Sequence, residues 1–264
     1  MRDNIATGKA VGNRGAERNM TQNVWVGQNI TAGARLRLFC FPFAGGGALA
    51  YRPWLTQFPD DIDVVPVNLP GREQRFGDPV IDDLSAMVEA VAAGLKPFMD
   101  RPFAFFGYSM GALISHHLAC HLQQAGMTVP VHLFVAARRG PNVAGHRAPL
   151  HHLSSDEFWR GIANYGGTPA EILENAEYRA LFEPSLRADF RLSETAVSTG
   201  LPKLFCLITA FGGADDPNPM PDELDDWAAA TTGDFAKHVL PGGHFFLRDA
   251  GDDIVRVVRD ALIA

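Results

Sequence analysis

The sequence predicts an α/β fold: a mostly parallel central sheet flanked by helices, with an inserted helical segment. Short apolar runs alternate with stretches of helical period, a pattern that puts helices on both faces of a parallel sheet. The intervals between successive runs mostly suit a single crossover helix. One interval, from Ala136 to Leu204, is far too long for that and itself reads as helices.

Taken in order, residues 36–41, 62–67, 103–106, 131–136, 204–209 and 235–240 read as strands. Helices are expected near 84–98, 110–124, 222–230 and 252–263. Within the long interval, 155–164 begins after Ser154-Ser155 and carries Phe158, Trp159 and Ile162 at helical spacing. Three further helices, 169–175, 177–182 and 184–193, are expected to follow. Residues 138–200 then form a helical lid inserted into a core made of residues 21–137 and 201–264. Residues 1–20 are polar, rich in Gly, Asn and Arg, and lack periodicity. They are expected to be a flexible extension outside the fold, with Met20 a candidate start.

Composition excludes several classes of function. The 264 residues carry a net charge of -7, which argues against a general affinity for nucleic acid. No apolar run reaches the roughly 18 residues a membrane span needs, and the first 20 residues hold no apolar secretion segment. Cys40, Cys120 and Cys206 show no paired spacing, and Cys40 and Cys206 lie in apolar runs. Buried free thiols in a reducing cytoplasm are expected.

The chemistry begins at Gly107-Tyr108-Ser109-Met110-Gly111. This G-x-S-x-G pentapeptide falls between a strand and a helix, the context of the nucleophile turn in an α/β-hydrolase fold. A sharp turn there lifts the serine Oγ clear of the backbone, and the flanking glycines leave room for it. Ser109 is therefore the expected nucleophile. It needs a base oriented by a carboxylate, in the chain order serine, acid, histidine. His244, after the last strand and two glycines, is the expected base. His117 and His121 have the i, i+4 spacing of a metal face but no acidic partner on their helix, so they are read as structural. His238 is read as a sheet residue, and His146, His151 and His152 fall at the lid entrance. For the acid, Asp215 and Asp216 compete. Asp216 precedes Pro217, which restricts its backbone, and is favoured, with Asp215 as a turn cap. An oxyanion needs two N–H donors: Met110 after the nucleophile, and Ala44 in the loop Phe41-Pro42-Phe43-Ala44-Gly45-Gly46-Gly47 after the first strand. A phosphate loop is the other reading of those glycines, but no Lys-Ser/Thr follows them. No metal or diffusible cofactor is needed.

Seven segments together resemble the type II thioesterases of polyketide and nonribosomal peptide biosynthesis. They are FCFPFAGGGA, LPGRE (69–73), FGYSMGALIS, YGGTPAEIL (165–173), LRADFRLSE (186–194), GADDP and GGHFFL. The resemblance runs from about Leu36 to the C-terminus. It implies a stand-alone enzyme, which is expected to be a cytoplasmic monomer. Such an enzyme hydrolyses stalled acyl groups from the phosphopantetheine arm of acyl or peptidyl carrier proteins, without nucleic acid or membrane. It also implies that the catalytic acid is the aspartate before the proline, Asp216. Where the family often has His or Tyr, this chain has Phe43, which keeps the backbone donor and removes a polar side chain. An esterase acting on small free esters would use the same triad, and a non-catalytic carrier-binding protein could keep the fold.

Overall fold

A computed structural model describes residues 23–27, 30, 31 and 33–263; the 1–20 extension lies outside them. Six strands form one sheet: β1 Leu36–Phe41, β2 Ile62–Pro66, β3 Phe103–Tyr108, β4 His132–Ala136, β5 Leu207–Gly213 and β6 Phe235–Leu240. Their order is β2-β1-β3-β4-β5-β6 and every pairing is parallel. Parallel strands need crossovers: α1 Leu84–Leu95 links β2 to β3 and α2 Met110–Gln124 links β3 to β4, while α6 Gly251–Ile263 follows the last strand. Alternation along each strand divides the core. Phe39, Phe41, Phe103, Phe105, Leu133 and Val135 point to the face covered by α1 and α2. Leu38, Cys40, Ala104, Phe106, Phe134 and Ala136 point to the face covered by α6, with Tyr51 and Trp54. All three cysteines are buried and unpaired. Among the described residues no helix is long and apolar enough to cross a membrane.

The interval between β4 and β5 holds α3 Ser155–Ala163, α4 Ala170–Glu174 and α5 Ala176–Thr195. Ser154 and Glu157 form a reciprocal capping box that starts α3. These helices close their own small core, in which Phe158, Trp159, Ile162, Leu186 and Phe190 are buried. Here the structure corrects the sequence reading. The expected helices 177–182 and 184–193 are one helix running through Pro184. Proline removes one backbone bond and crowds the preceding turn, but both halves are pinned to α3. Glu183 accepts from Ser155 Oγ and Trp159 Nε1, while Leu186 and Phe190 pack beside Phe158.

Two further corrections concern the sheet end. The fifth strand starts at Leu207 and runs to Gly213, three to four residues later than the apolar run 204–209 suggests. Cross-strand pairing outweighs the low strand propensity of its two terminal glycines, since Gly212 and Gly213 align with Val239 and Leu240. The expected helix 222–230 is a 3-10 segment, Pro221–Ala230. A Cβ on Gly213 would lie 2.4 Å from Gly242 O. That glycine lets the loop after β6 cross directly over the end of β5.

Candidate active site

Ser109 sits between β3 and α2 with φ 54° and ψ −108°. A non-glycine residue at positive φ carries strain of order 1–3 kcal/mol and persists only where its surroundings hold it. Its amide donates to Ala136 O at 2.8 Å, bracing the turn against β4. A Cβ on Gly107 would lie 2.3 Å from Gly111 O, and one on Gly111 would lie 2.1 Å from Phe41 O. Both glycines of the pentapeptide are therefore set by backbone crossing backbone. The turn leaves the hydroxyl at the N-terminus of α2, where unpaired amides and the helix dipole favour negative charge.

His244 Nε2 lies 3.1 Å from Ser109 Oγ, and its Nδ1 lies 2.8 Å from Asp216 Oδ2. The Asp216 side chain is fully buried, and Oδ1 accepts the Asn218 N–H at 2.8 Å. Asp215 is exposed. A carboxylate at Nδ1 keeps the proton there and leaves Nε2 facing the serine as an acceptor. The structure thus brings together three of the side chains singled out in the sequence, 135 and 28 residues apart. Sequence reasoning missed Tyr108, a spacer in the motif. Its hydroxyl donates to His244 O at 2.5 Å and accepts the Leu247 N–H at 3.4 Å. Burial pushes that hydroxyl well above its usual pKa, so it remains a donor. The available signal was general: a tyrosine buried in a strand needs a partner for its hydroxyl.

Four of the other histidines have partners away from Ser109. His117 Nε2 pairs with Ser198 Oγ at 3.0 Å, and His238 stacks on Phe211 within the sheet. His151 pairs with Glu194 and His146 with Glu223; neither they nor His152 line the cavity at Ser109. Among the described residues no group of three or more His, Cys, Asp or Glu could hold a metal ion.

In the loop after β1, Gly46 N–H donates to Phe43 O at 2.9 Å and Gly45 has φ 75°. This turn brings Ala44 to the wall of a cavity shared with Ser109 and His244. The Phe43 ring packs edge-on against Tyr108 and Phe245, at 5.9 and 5.4 Å between centroids. An apolar ring suits that position. The cavity measures about 630 Å³ and has an apolar wall from Leu113, Ile162, Leu186 and Phe190. Arg138, Arg139 and Arg147 also line it. Arg147 lies over the Tyr165 ring at 4.0 Å, and Arg139 pairs with the Asn218 side chain and Ala144 O. Burial, then the neighbouring Arg139, lowers the Arg138 guanidinium to about 10, which leaves it a cation at neutral pH.

A serine in hydrogen-bond contact with a histidine at the carboxyl ends of parallel strands, with its partners in the chain order serine, aspartate, histidine, defines the class: this is a serine hydrolase of the α/β-hydrolase fold. Comparison with known proteins narrows it further. The chain belongs to the thioesterase domain family, whose model matches residues 36–262. It is 38% identical over 234 residues to the gramicidin S biosynthesis protein GrsT of Aneurinibacillus migulanus, covering 88% of this chain and 91% of that one. Among solved structures it resembles RedJ, a thioesterase from the prodiginine biosynthetic pathway in Streptomyces coelicolor (39% identity, TM-score 0.81, 87% and 86% of the two chains). It also resembles BorB, a type II thioesterase from the borrelidin biosynthetic cluster (31% identity, TM-score 0.81, 90% and 97%).

Proposed function

We propose that this chain is a type II thioesterase acting in trans, releasing stalled or aberrant acyl groups as free acids from the phosphopantetheine arms of carrier proteins in polyketide or nonribosomal peptide synthesis. One observation carries the proposal: in a chain of the thioesterase family, the contacts from Ser109 through His244 to Asp216 open on a cavity large enough for an acyl chain. The gramicidin S, prodiginine and borrelidin contexts of its relatives support it.

His244 takes the Ser109 proton as Oγ attacks the thioester carbonyl. Ala44 and Met110 N–H hold the oxyanion, each such donor being worth about 10²–10³ in rate. Asp216 stabilises the imidazolium and keeps it aimed. The thiol leaves with the proton from His244, and a water deprotonated by His244 releases the acid and restores Ser109. The helices of residues 138–200 act as a lid whose apolar faces receive the acyl chain.

Carrier and arm supply binding energy remote from the reacting carbonyl, so truncating them lowers kcat/KM. Short acyl groups on a phosphopantetheinylated carrier should be hydrolysed at least about tenfold more efficiently than on N-acetylcysteamine, and p-nitrophenyl esters slowly. Equal or better efficiency on free esters would make the protein an esterase. Ser109→Ala should fold and lose about 10⁴–10⁶ in rate. A fluorophosphonate should label the wild-type protein once, at Ser109; labelling elsewhere would refute the assignment.

A further inference from the structure

The loop carrying Ala44 is gripped from outside the sheet. Asp189, on α5, has a side chain 1% exposed. Its Oδ2 accepts the Gly45 N–H at 2.8 Å and Arg72 Nη1 at 2.7 Å, and its Oδ1 accepts Arg72 Nη2 at 2.7 Å. Arg72 Nη1 also donates to Gly46 O at 3.1 Å. The next residue, Glu73, accepts the Ala48 and Leu49 N–H groups at 3.0 and 3.1 Å. A Cβ on Gly47 would lie 2.1 Å from its carboxylate, so a side chain there would displace the Glu73 carboxylate from these amides. Burial alone would pull the Arg72 guanidinium down; the charge and hydrogen bonds of Asp189 outweigh it, and the net shift is upward.

A buried ion pair is weak evidence for stability, because desolvation offsets most of its attraction. This pair does something a plain ion pair does not: one carboxylate oxygen is also committed to a loop amide. Fixing the Ala44–Gly45 peptide plane restrains the adjacent plane, which carries Ala44 N–H. We infer that Asp189 is a positioning residue for the oxyanion hole, joining the helical insertion to the Ala44 loop through the Gly45 amide and held in register by Arg72. Seating α5 and aiming the Ala44 donor are then a single event, and acyl transfer depends on the insertion being docked. The inference rests on Ala44 N–H being an oxyanion donor.

Two substitutions at one position separate positioning from stability. Asp189→Asn and Asp189→Ala both abolish the charge pair. In Asn, the side-chain carbonyl can occupy the Oδ2 position and still accept the Gly45 N–H; in Ala nothing can. Both should lower Tm by similar amounts. Asp189→Ala should show a kcat at least about tenfold below Asp189→Asn, roughly 1.4 kcal/mol, with KM within about threefold. Its affinity for an alkylboronic acid should fall in parallel, because the boronate forms a tetrahedral anionic adduct with Ser109 that needs the same donors. Equal kcat in the two variants, or a change confined to KM, would overturn the inference. Should Asp189→Ala not fold, hydrogen exchange of the wild-type Gly45 amide decides: slow exchange supports the bond, and exchange as fast as an unbonded loop amide overturns it. Reading the variants on a p-nitrophenyl ester as well as on an acyl carrier keeps this test separate from the substrate proposal. Loss of carrier hydrolysis in the wild-type protein would sink that proposal and leave the Asp189 comparison readable.

Discussion

Asp215 and Asp216 are adjacent carboxylates whose difference is burial and direction. Asp216 is buried, bonded to His244 and capped by the Asn218 amide, while Asp215 faces solvent. Asp216→Asn should lower kcat/KM by about 10⁴-fold, as loss of the orienting carboxylate does in triads generally. Asp215→Asn should cost less than about tenfold; steady-state kinetics on the two variants checks the assignment, and a larger loss at Asp215 would reverse it. The glycine at Gly111 makes an equally local prediction. A methyl there would press on Phe41 O at 2.1 Å, and neither β1 nor the start of α2 can move without disturbing the sheet. Gly111→Ala should destabilise by about 3 kcal/mol or more and abolish activity; an unchanged thermal midpoint would contradict it. The proline after Asp216 was visible in the sequence and pointed to the carboxylate that the fold places against His244. Tyr108 was not legible, because nothing in a pentapeptide says which distant carbonyl its hydroxyl will meet.

At the scale of elements, α5 runs for 20 residues across a proline. Its N-terminal half is started by Asn175, whose side chain accepts the Glu177 and Tyr178 amides. Its C-terminal half carries Asp189 and the apolar residues that face the cavity. Pro184→Ala restores the missing backbone donor and removes the ring, at a small cost from a freer unfolded chain. The helix should gain about 1 kcal/mol, read as slower amide hydrogen exchange across residues 177–190, while kcat changes by less than about threefold. Faster exchange would show that the proline is part of the helix's packing. Sequence patterning located this insertion and its apolar stripes but split the helix, since local rules count the lost bond and cannot count the contacts to α3. The same limit displaced β5: an apolar run marks a buried segment, while pairing decides which residues in it extend the sheet.

At the scale of the whole molecule, His116 and His132 are buried and His117 is half-buried, and all three are held in neutral form. Burial lowers His116 to about 3, with His117 and Arg138 adding to the effect; it lowers His117 to about 4, with Arg138 adding; and it lowers His132 to about 4. In the unfolded chain each titrates near about 6.5. As pH falls below that value the unfolded chain takes up protons that the folded chain refuses, so stability is lost on acidification. The stability these groups contribute is fully present above about pH 7 and declines from about pH 6.5 down to about 4 for His117 and His132 and about 3 for His116, by at most about 1.4 kcal/mol per pH unit per histidine. Tm should fall between pH 7 and about pH 5, and His132→Gln should make that fall shallower. A Tm that holds or rises at pH 5 would contradict the burial of these rings.

The sequence by itself determined the sheet-and-helix architecture, the long helical insertion, the serine turn and the order of its partners. Each of these is written in local information: apolar period, glycine where no side chain fits, proline that fixes a backbone direction. Only the tertiary structure decided which distant groups meet. Tyr108 holds the backbone of His244, and Asp189 reaches back from the insertion to Gly45 and Arg72, 144 and 117 residues away. A motif such as LPGRE marks residues without naming their partners, because a hydrogen bond depends on positions in space, and those are fixed when strands pair and helices pack.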